Sequence, residues 1–395
     1  MENVFLKSPP VVQNPTANRF SVSWCVSGLA TGWVEWGYDE SLGNKAVSSH
    51  HGLIATDENF LSVPVVGIDE NCRVYYRTAT VAVKYHTAYE IEQGEVIYSN
   101  IYQIILPNRS ADTFSMTVVN DTHEATAILK LFVKRVQEIK PDFHMWNGDA
   151  CHSFNSHDQL GQVVLNPSDE SDFSRSGGWA AERPLLYTLG NHERRGSHAR
   201  SLCKAITPWT YEMSSLIKKV SQYYFVVRHG PVALVCLDSG EDKPDNREVF
   251  GNMADYEAYR KEQRDWLAVI LKDPSVTSAK YIIAFVHIPL RPIDGANDGC
   301  RNEGYAFYSG ECNKLWTKLL LEAGCQLIVS GHQHQVEYHP ADDNYPINQL
   351  VGGGDKMEDA ALIYLEATTK SLVLRVEDIN QKILIQSEIR SKNSC

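Results

Sequence analysis

The stretch Phe114-Ser-Met-Thr-Val-Val-Asn-Asp121-Thr-His123 decides the fold. An apolar run of the length of one buried strand stops abruptly at a carboxylate and, two positions on, an imidazole. The same pattern returns in a fixed order along the chain. Asp142–Asn147 precedes Gly148-Asp149, and Pro184–Leu189 precedes Gly190-Asn191-His192-Glu193. Lys280–Val286 precedes His287, and Cys325–Ser330 precedes Gly331-His332-Gln333-His334. Between the first two runs, Ile128, Leu129, Phe132, Val133, Val136 and Ile139 recur at helical spacing, and Pro141 stops the helix. Strands alternating with helices predict a layered domain. In such sheets ligands gather beyond the carboxyl ends of the strands, where the polar clusters fall.

Each cluster alone has a bland explanation: a solvated Asp, a Gly-Asp turn, a capping Asn, a core His. Taken together, Asp121, His123, Asp149, Asn191, His287, His332 and His334 form a donor set suited to metal. In extended backbone Asp121 and His123 point the same way and can grip one ion. Two histidines one residue apart behind Gly331 make a second grip. A carboxylate such as Asp149 can bridge two cations roughly 3.5–4 Å apart. Asn191 offers a neutral oxygen that does not repel an anion, and His192, pointing differently, is left for the substrate. Glu193 is expected to support the loop, and Arg194 and Arg195 either steer phosphate or are solvated. Mixed nitrogen and oxygen donors without thiolate fit two divalent or trivalent ions, of Fe, Mn, Zn or Co. Such a pair suits hydrolysis of a small phosphorylated substrate by a hydroxide shared between the ions. His192, protonated beside the anion, would assist the leaving oxygen.

Bulk properties narrow the partners. The 395 residues carry a formal charge of -12, so general nucleic-acid binding is not expected. No apolar run is long enough for a transmembrane segment, and no secretory signal is visible at the start. The compartment stays open, with an extracytoplasmic protein whose signal has been trimmed set ahead of a cytoplasmic one. Among nine cysteines there is no CxxC pair; Cys25, Cys236 and Cys325 read as core residues, and a Cys300–Cys312 disulfide is left open. Residues 1–108 read as an all-β sandwich, with strands at Phe20–Val26, Gly32–Tyr38, Cys72–Val83 and Ile97–Leu106. Leu106–Asp112 is a linker, and residues 113–395 form the second domain. There, Tyr223–His229 and Val232–Asp238 predict a hairpin, Tyr256–Leu271 and Asn313–Ala323 predict helices, and the strands of 335–388 are expected to complete a second sheet.

The ordered set D-x-H, G-D, G-N-H-E, H, G-H-x-H resembles the calcineurin-like metallophosphoesterase superfamily over about residues 114–376. The resemblance implies an α/β four-layer domain, a two-sheet β-sandwich flanked by helices. It implies one metal on Asp121, His123, Asp149 and His334 and another on Asp149, Asn191, His287 and His332. It makes His192 the catalytic contact on the leaving-group side. SVSW at 21–24 and GWVEWGYDE at 32–40 are similar to the fibronectin type III-like domain that precedes the catalytic domain of purple acid phosphatases. LDSGEDKPD at 237–245 resembles bacterial calcineurin-like phosphoesterases. Two positions depart from the purple acid phosphatase pattern: His123 stands for Gly, and His152 stands for the ligand Tyr. The purple colour is therefore not expected, and the case for an obligate ferric ion weakens. A phosphomonoesterase is the leading expectation. A phosphodiesterase for a cyclic nucleotide or lipid headgroup is the alternative, and an inactive extracellular binding module, whose mark would be missing ligands, comes last.

Overall fold

The computed structural model describes residues 4–173, 177–212, 219–291 and 305–391. Cys300 lies outside the described residues, and with it the Cys300–Cys312 pairing. Thr113–Val119 runs through a ten-stranded sheet, and its side chains alternate as a strand requires. Phe114, Met116 and Val118 enter a core between two sheets, while Val119 packs outward under a helix. Phe143–Asn147 and Leu185–Thr188 follow in parallel on one side. The first crossover is the helix Thr126–Ile139, which buries Ile128, Leu129, Phe132, Val133 and Val136.

A six-stranded sheet faces this one, in the order Phe225–His229, Val232–Leu237, Tyr281–Val286, Leu327–Ser330, Asn348–Val351, Glu337–His339. Met116, Met145 and Leu186 meet Cys236, Ile283, Phe285 and Val329 between the sheets. Trp266 and Leu267 of the helix Tyr256–Ile270 cover the far face through Val235 and Ala284. The result is helix, sheet, sheet, helix. Each such apolar side chain contributes roughly 1.5–3 kcal/mol by leaving water. Phe225–His229 and Val232–Leu237 form the expected hairpin.

Two expectations need correction, and one helix stands outside them. Ala361–Thr368, Ser371–Asp378 and Ile383–Arg390 do not complete the second sheet; they add antiparallel to Thr113–Val119 in the first. Only Glu337–His339 and Asn348–Val351 join the second. The helix predicted at Asn313–Ala323 starts earlier, at Tyr305, and passes through a π-helical turn at Asn313–Thr317 before Lys318–Glu322. The helix His157–Leu165 was not anticipated, because Gly161 in its middle dilutes the helical signal.

No described helix of the chain precedes Thr126. Arg73–Thr87 pairs with Ala30–Gly37, Glu90–Tyr98 and Tyr102–Ile105, over a core that includes Trp24, Val34, Tyr76 and Ile104. Val11–Thr16, Arg19–Ser27 and Phe60–Val66 instead prolong the ten-stranded sheet, through the parallel pair Gln13 and Leu185. No described helix is long and apolar enough to cross a membrane.

His144 lies in the wall of this core, its Nδ1 2.9 Å from Thr117 Oγ1 and its ring 4.2 Å from that of Trp179. Burial pushes its pKa down from 6.5 to about 3, and the charge of Arg183 adds to the effect. Below 6.5 the unfolded chain takes a proton that the folded chain refuses. This group's stabilisation is therefore complete above the unfolded pKa and is lost as pH falls towards the folded one, by about 1.4 kcal/mol per pH unit. Urea unfolding of the wild type and His144→Phe tests this. From about pH 7 to about pH 5 the difference between them should shift by about 2 kcal/mol in favour of the variant.

Candidate metal centre

The parallel strands of both sheets deliver their carboxyl ends to one rim. Asn147, the last residue of its strand, ties that rim together. Its Nδ2 donates to Val329 O (3.2 Å) in the facing sheet, its Oδ1 accepts from Thr188 Oγ1 (2.5 Å), and its O lies 2.9 Å from His287 Nδ1. Sequence reading passed over Asn147; the signal was a polar residue closing the buried run Phe-His-Met-Trp.

All the donors singled out from sequence meet here. The ligand atoms of Asp121, His123 and His334 lie within 4.8 Å of one another, as do those of Asp149, His287 and His332. Asp149 stands between the sets, its Oδ2 3.1 Å from His287 Nε2 and 3.7 Å from His123 Nε2. Asn191 Oδ1 stands 2.9 Å from His332 Nδ1. His192 approaches from the rim, with Nε2 4.0 Å from Asp149 Oδ2 and Nδ1 2.9 Å from His152 O. His152 is exposed and stacks on His123 with ring centroids 4.7 Å apart. A third set, His123, His152 and His192, also falls within 4.8 Å.

The local backbone is not the extended one expected at Asp121 and His123. Their φ angles are 48° and 39°, and Asp149, His332 and His334 have φ of 53°, 72° and 54°. Left-handed backbone at a non-glycine residue costs of order 1–3 kcal/mol, and it clusters where a site demands it. The donors converge because the chain turns sharply, not because a strand alternates. The glycines of the motifs allow the approach. A Cβ on Gly331 would sit 2.2 Å from Asp121 Oδ2, and one on Gly190 2.2 Å from Asp149 Oδ1. With that space open, His332 N donates to both carboxylate oxygens of Asp121, at 2.8 and 2.9 Å.

Glu193 is the internal brace. Its buried carboxylate accepts from the backbone N of Asp149 (3.0 Å), Ala150 (2.8 Å) and Gly190 (2.8 Å) and from Tyr187 Oη (2.9 Å). It joins the Asp149 loop to its own. The arginines beside it are neither solvated nor free. Arg194 pairs with Asp238, which Tyr259 also contacts. Arg195 Nε reaches Glu241 Oε1 at 2.6 Å, and its Nη1 lies 2.8 Å from His192 Nε2. Asp238 and Glu241 belong to the 237–245 segment, which thus anchors the His192 loop.

Charge decides what the cluster accepts. Cys151 O and Asn147 O, each at about hydrogen-bond distance from the Nδ1 of His123 (3.0 Å) and His287 (2.9 Å), fix those protons. The Nε2 atoms then face inward: His123 Nε2 meets His334 Nε2 at 3.0 Å, and buried His287 Nε2 faces Asp149 Oδ2 at 3.1 Å. Burial alone would lower the His287 pKa, yet Asp149 and Asp121 lift it to about 10. Burial would likewise raise Asp149, yet the charge of His287 holds it below the usual carboxylate range. Inward-facing imidazole nitrogens and two buried carboxylates fit cations, which would take the place of the proton that the carboxylates hold on His287. His192 is held below its ordinary pKa, first by burial; Asp149 opposes this and Arg195 reinforces it. Cys151 is buried and its thiol pushed up by burial, so it is no thiolate donor.

Comparison with known proteins accords with this geometry. No curated protein matches the sequence. Two solved structures share the fold across 97% of this chain. A purple acid phosphatase from seeds of yellow lupin (Lupinus luteus) is 14% identical, with 74% of its chain covered and a TM-score of 0.67. PhoD is 11% identical, with 88% covered and a TM-score of 0.62. The class is that of metal-dependent phosphoester hydrolases. The model of the calcineurin-like phosphoesterases matches residues 114–336, more than half of the chain, and the chain belongs to that family.

Glu193→Gln tests the brace. An amide retains one acceptor oxygen and sets an NH2 group against backbone donors, so the Asp149 loop should loosen. Loss of such an outer support typically costs about 10–100-fold in metal affinity. Calorimetric metal titration should show that loss while the circular dichroism spectrum stays unchanged.

Proposed function

We propose that this chain hydrolyses phosphate monoesters at a two-metal centre. Asp121, His123, Asp149 and His334 hold one ion, and Asp149, Asn191, His287 and His332 hold the other. The observation that carries this reading is the place of Asp149 Oδ2, facing His123 of one set and His287 of the other. The ions are Fe, Mn, Zn or Co, since the donors mix nitrogen and oxygen without thiolate. When bound, they supply an acidified water and draw charge from the phosphoryl oxygens.

The chain's own groups supply orientation and a proton. His152 O fixes the His192 Nδ1 proton, so Nε2 alone faces the substrate. An arriving phosphate raises the proton affinity of His192 against the effect of burial, and the proton on Nε2 passes to the leaving oxygen. In the free site Arg195 Nη1, braced by Glu241, donates to that nitrogen, so the guanidinium turns to the phosphate as Nε2 takes up its proton from water. A monoester presents a dianion and gains more from this guanidinium than a diester does, which sets the diesterase reading second. An inactive binding module loses its signature, because every donor position is filled and the donors are gathered. We further propose that residues 1–108 form a fibronectin type III-like domain and residues 113–395 the catalytic domain.

Turnover of an aryl phosphate and of an aryl phosphodiester after loading with each metal tests the substrate class; faster diester turnover would reverse the order. His192→Ala should lower kcat by about 10²–10⁴-fold and keep both metals. Asp149→Asn should lose metal as well as activity. Metal analysis of both variants checks the roles, and an undiminished metal content in Asp149→Asn would refute the bridge.

A further inference from the structure

Three glycines at 352–354 follow the strand Asn348–Val351 of the six-stranded sheet. They bring the chain against the metal centre from outside. Gly352 O accepts from Asn120 Nδ2, one residue before Asp121. Gly353 has a φ of 93°, and a Cβ there would stand 2.8 Å from Asn120 O. A Cβ on Gly354 would stand 2.8 Å from Asp359 Cβ and 3.3 Å from His334 O. The first side chain after this close approach is that of Asp355.

Asp355 arrives behind His334. Its Oδ1 stands 3.4 Å from His334 Nδ1, an ion-pair distance. His334 Nε2 points the other way, 3.0 Å from His123 Nε2 and 3.6 Å from Asp121 Oδ1. Among the described residues Asp355 has no other hydrogen bond or ion pair. The neighbouring imidazoles are held by other means. His123 and His287 are buried, and backbone carbonyls at 3.0 and 2.9 Å fix their Nδ1 atoms. The His334 side chain is 38% exposed, so packing alone does not fix its ring. A ring that turns, or that carries its proton on the inner nitrogen, is no donor to a metal. A carboxylate behind the outer nitrogen prevents both and makes the inner nitrogen a better ligand.

We propose that Asp355 is a positioning residue for the ion on Asp121, His123, Asp149 and His334: its carboxylate keeps the His334 proton on Nδ1 and turns the Nε2 lone pair inward. The assignment rests on the two-ion reading above and adds an asymmetry to it. Asp355 reaches His334 and none of the donors of the other ion, so it serves one ion of the pair. The 3.4 Å separation closes with a small rotation of the partly exposed carboxylate once the ring is drawn to a cation.

Calorimetric titration of the metal-free protein with Zn²⁺ tests the assignment. The wild type should take up two equivalents. Asp355→Ala should weaken one of them by about 10–100-fold and leave the other within about threefold. Asp355→Asn, which keeps an acceptor for the Nδ1 proton without the charge, should recover part of the loss. Glu358→Ala removes an exposed carboxylate of the same turn and should change neither equivalent. Melting of the metal-free protein should be the same for all four. Two equivalents weakened alike, or two unchanged, in Asp355→Ala would overturn the proposal, as would an equal effect of Glu358→Ala. An Asn variant as weak as the Ala variant would overturn the part played by the held proton. A lower metal-free melting temperature in Asp355→Ala alone would make the residue structural and overturn the proposal as well. A wild type that takes up a single equivalent refutes the two-ion reading instead; Asp355 is then judged on that equivalent, whose affinity should still fall in Asp355→Ala.

Discussion

Two carboxylates buried at one point, with no lysine or arginine in contact among the described residues, impose the constraint on which the rest of the site depends. Asp121 and Asp149 both face the Nε2 of His287, at 3.8 and 3.1 Å. In a low-dielectric interior such charges are tolerated only when paired or bound to a cation. The chain meets this with the imidazoles of His123 and His287, whose outer nitrogens are tied to backbone carbonyls so that their inner nitrogens face the carboxylates. Bringing those groups within reach forces left-handed backbone at Asp121, His123, Asp149, His332 and His334 and excludes side chains at Gly190 and Gly331. The strain is held by the two-sheet core beneath and by a third buried carboxylate, Glu193, whose hydrogen bonds go to backbone and to Tyr187 rather than to a charge.

How much of this was legible in the sequence follows from what each feature depends on. The strand ends and the donors were legible because both are local: a buried run of a few residues, then a polar residue that has no business in a core. The grouping of the donors was legible because parallel strands share a rim. The backbone at Asp121 and His123 was not, since a strand-like run implies nothing about the turn after it, and the prediction of extended geometry failed there. Nor was the placement of Ala361–Thr368, Ser371–Asp378 and Ile383–Arg390, because their alternation suits either sheet. What selects the first is the open edge of Thr113–Val119, a fact about residues more than two hundred positions away. Asn147 and Glu193 were half legible: each was visible as a polar residue in a buried context, but its partners were not.

The same logic of edges accounts for the N-terminal strands. Without them Leu185–Thr188 would be the outer strand of the catalytic sheet, with a row of unpaired backbone groups, and an exposed edge invites mispairing. Val11–Thr16 lies along it through the pair Gln13 and Leu185, and Gln13 adds side-chain bonds to Ala205 O and Thr207 N at 2.8 Å. Val12 N donates to Ala180 O (2.9 Å) and Tyr76 Oη to Ala181 O (2.7 Å) on the segment leading into that strand. Leu185–Thr188 is the strand that ends at Asn191 and His192. Fraying of that strand would move Asn191 and His192 together, whereas Asp121, His123 and His334 follow other strands. The N-terminal strands thus cover the edge of the strand that leads to Asn191 and His192, and help to fix where those two side chains stand.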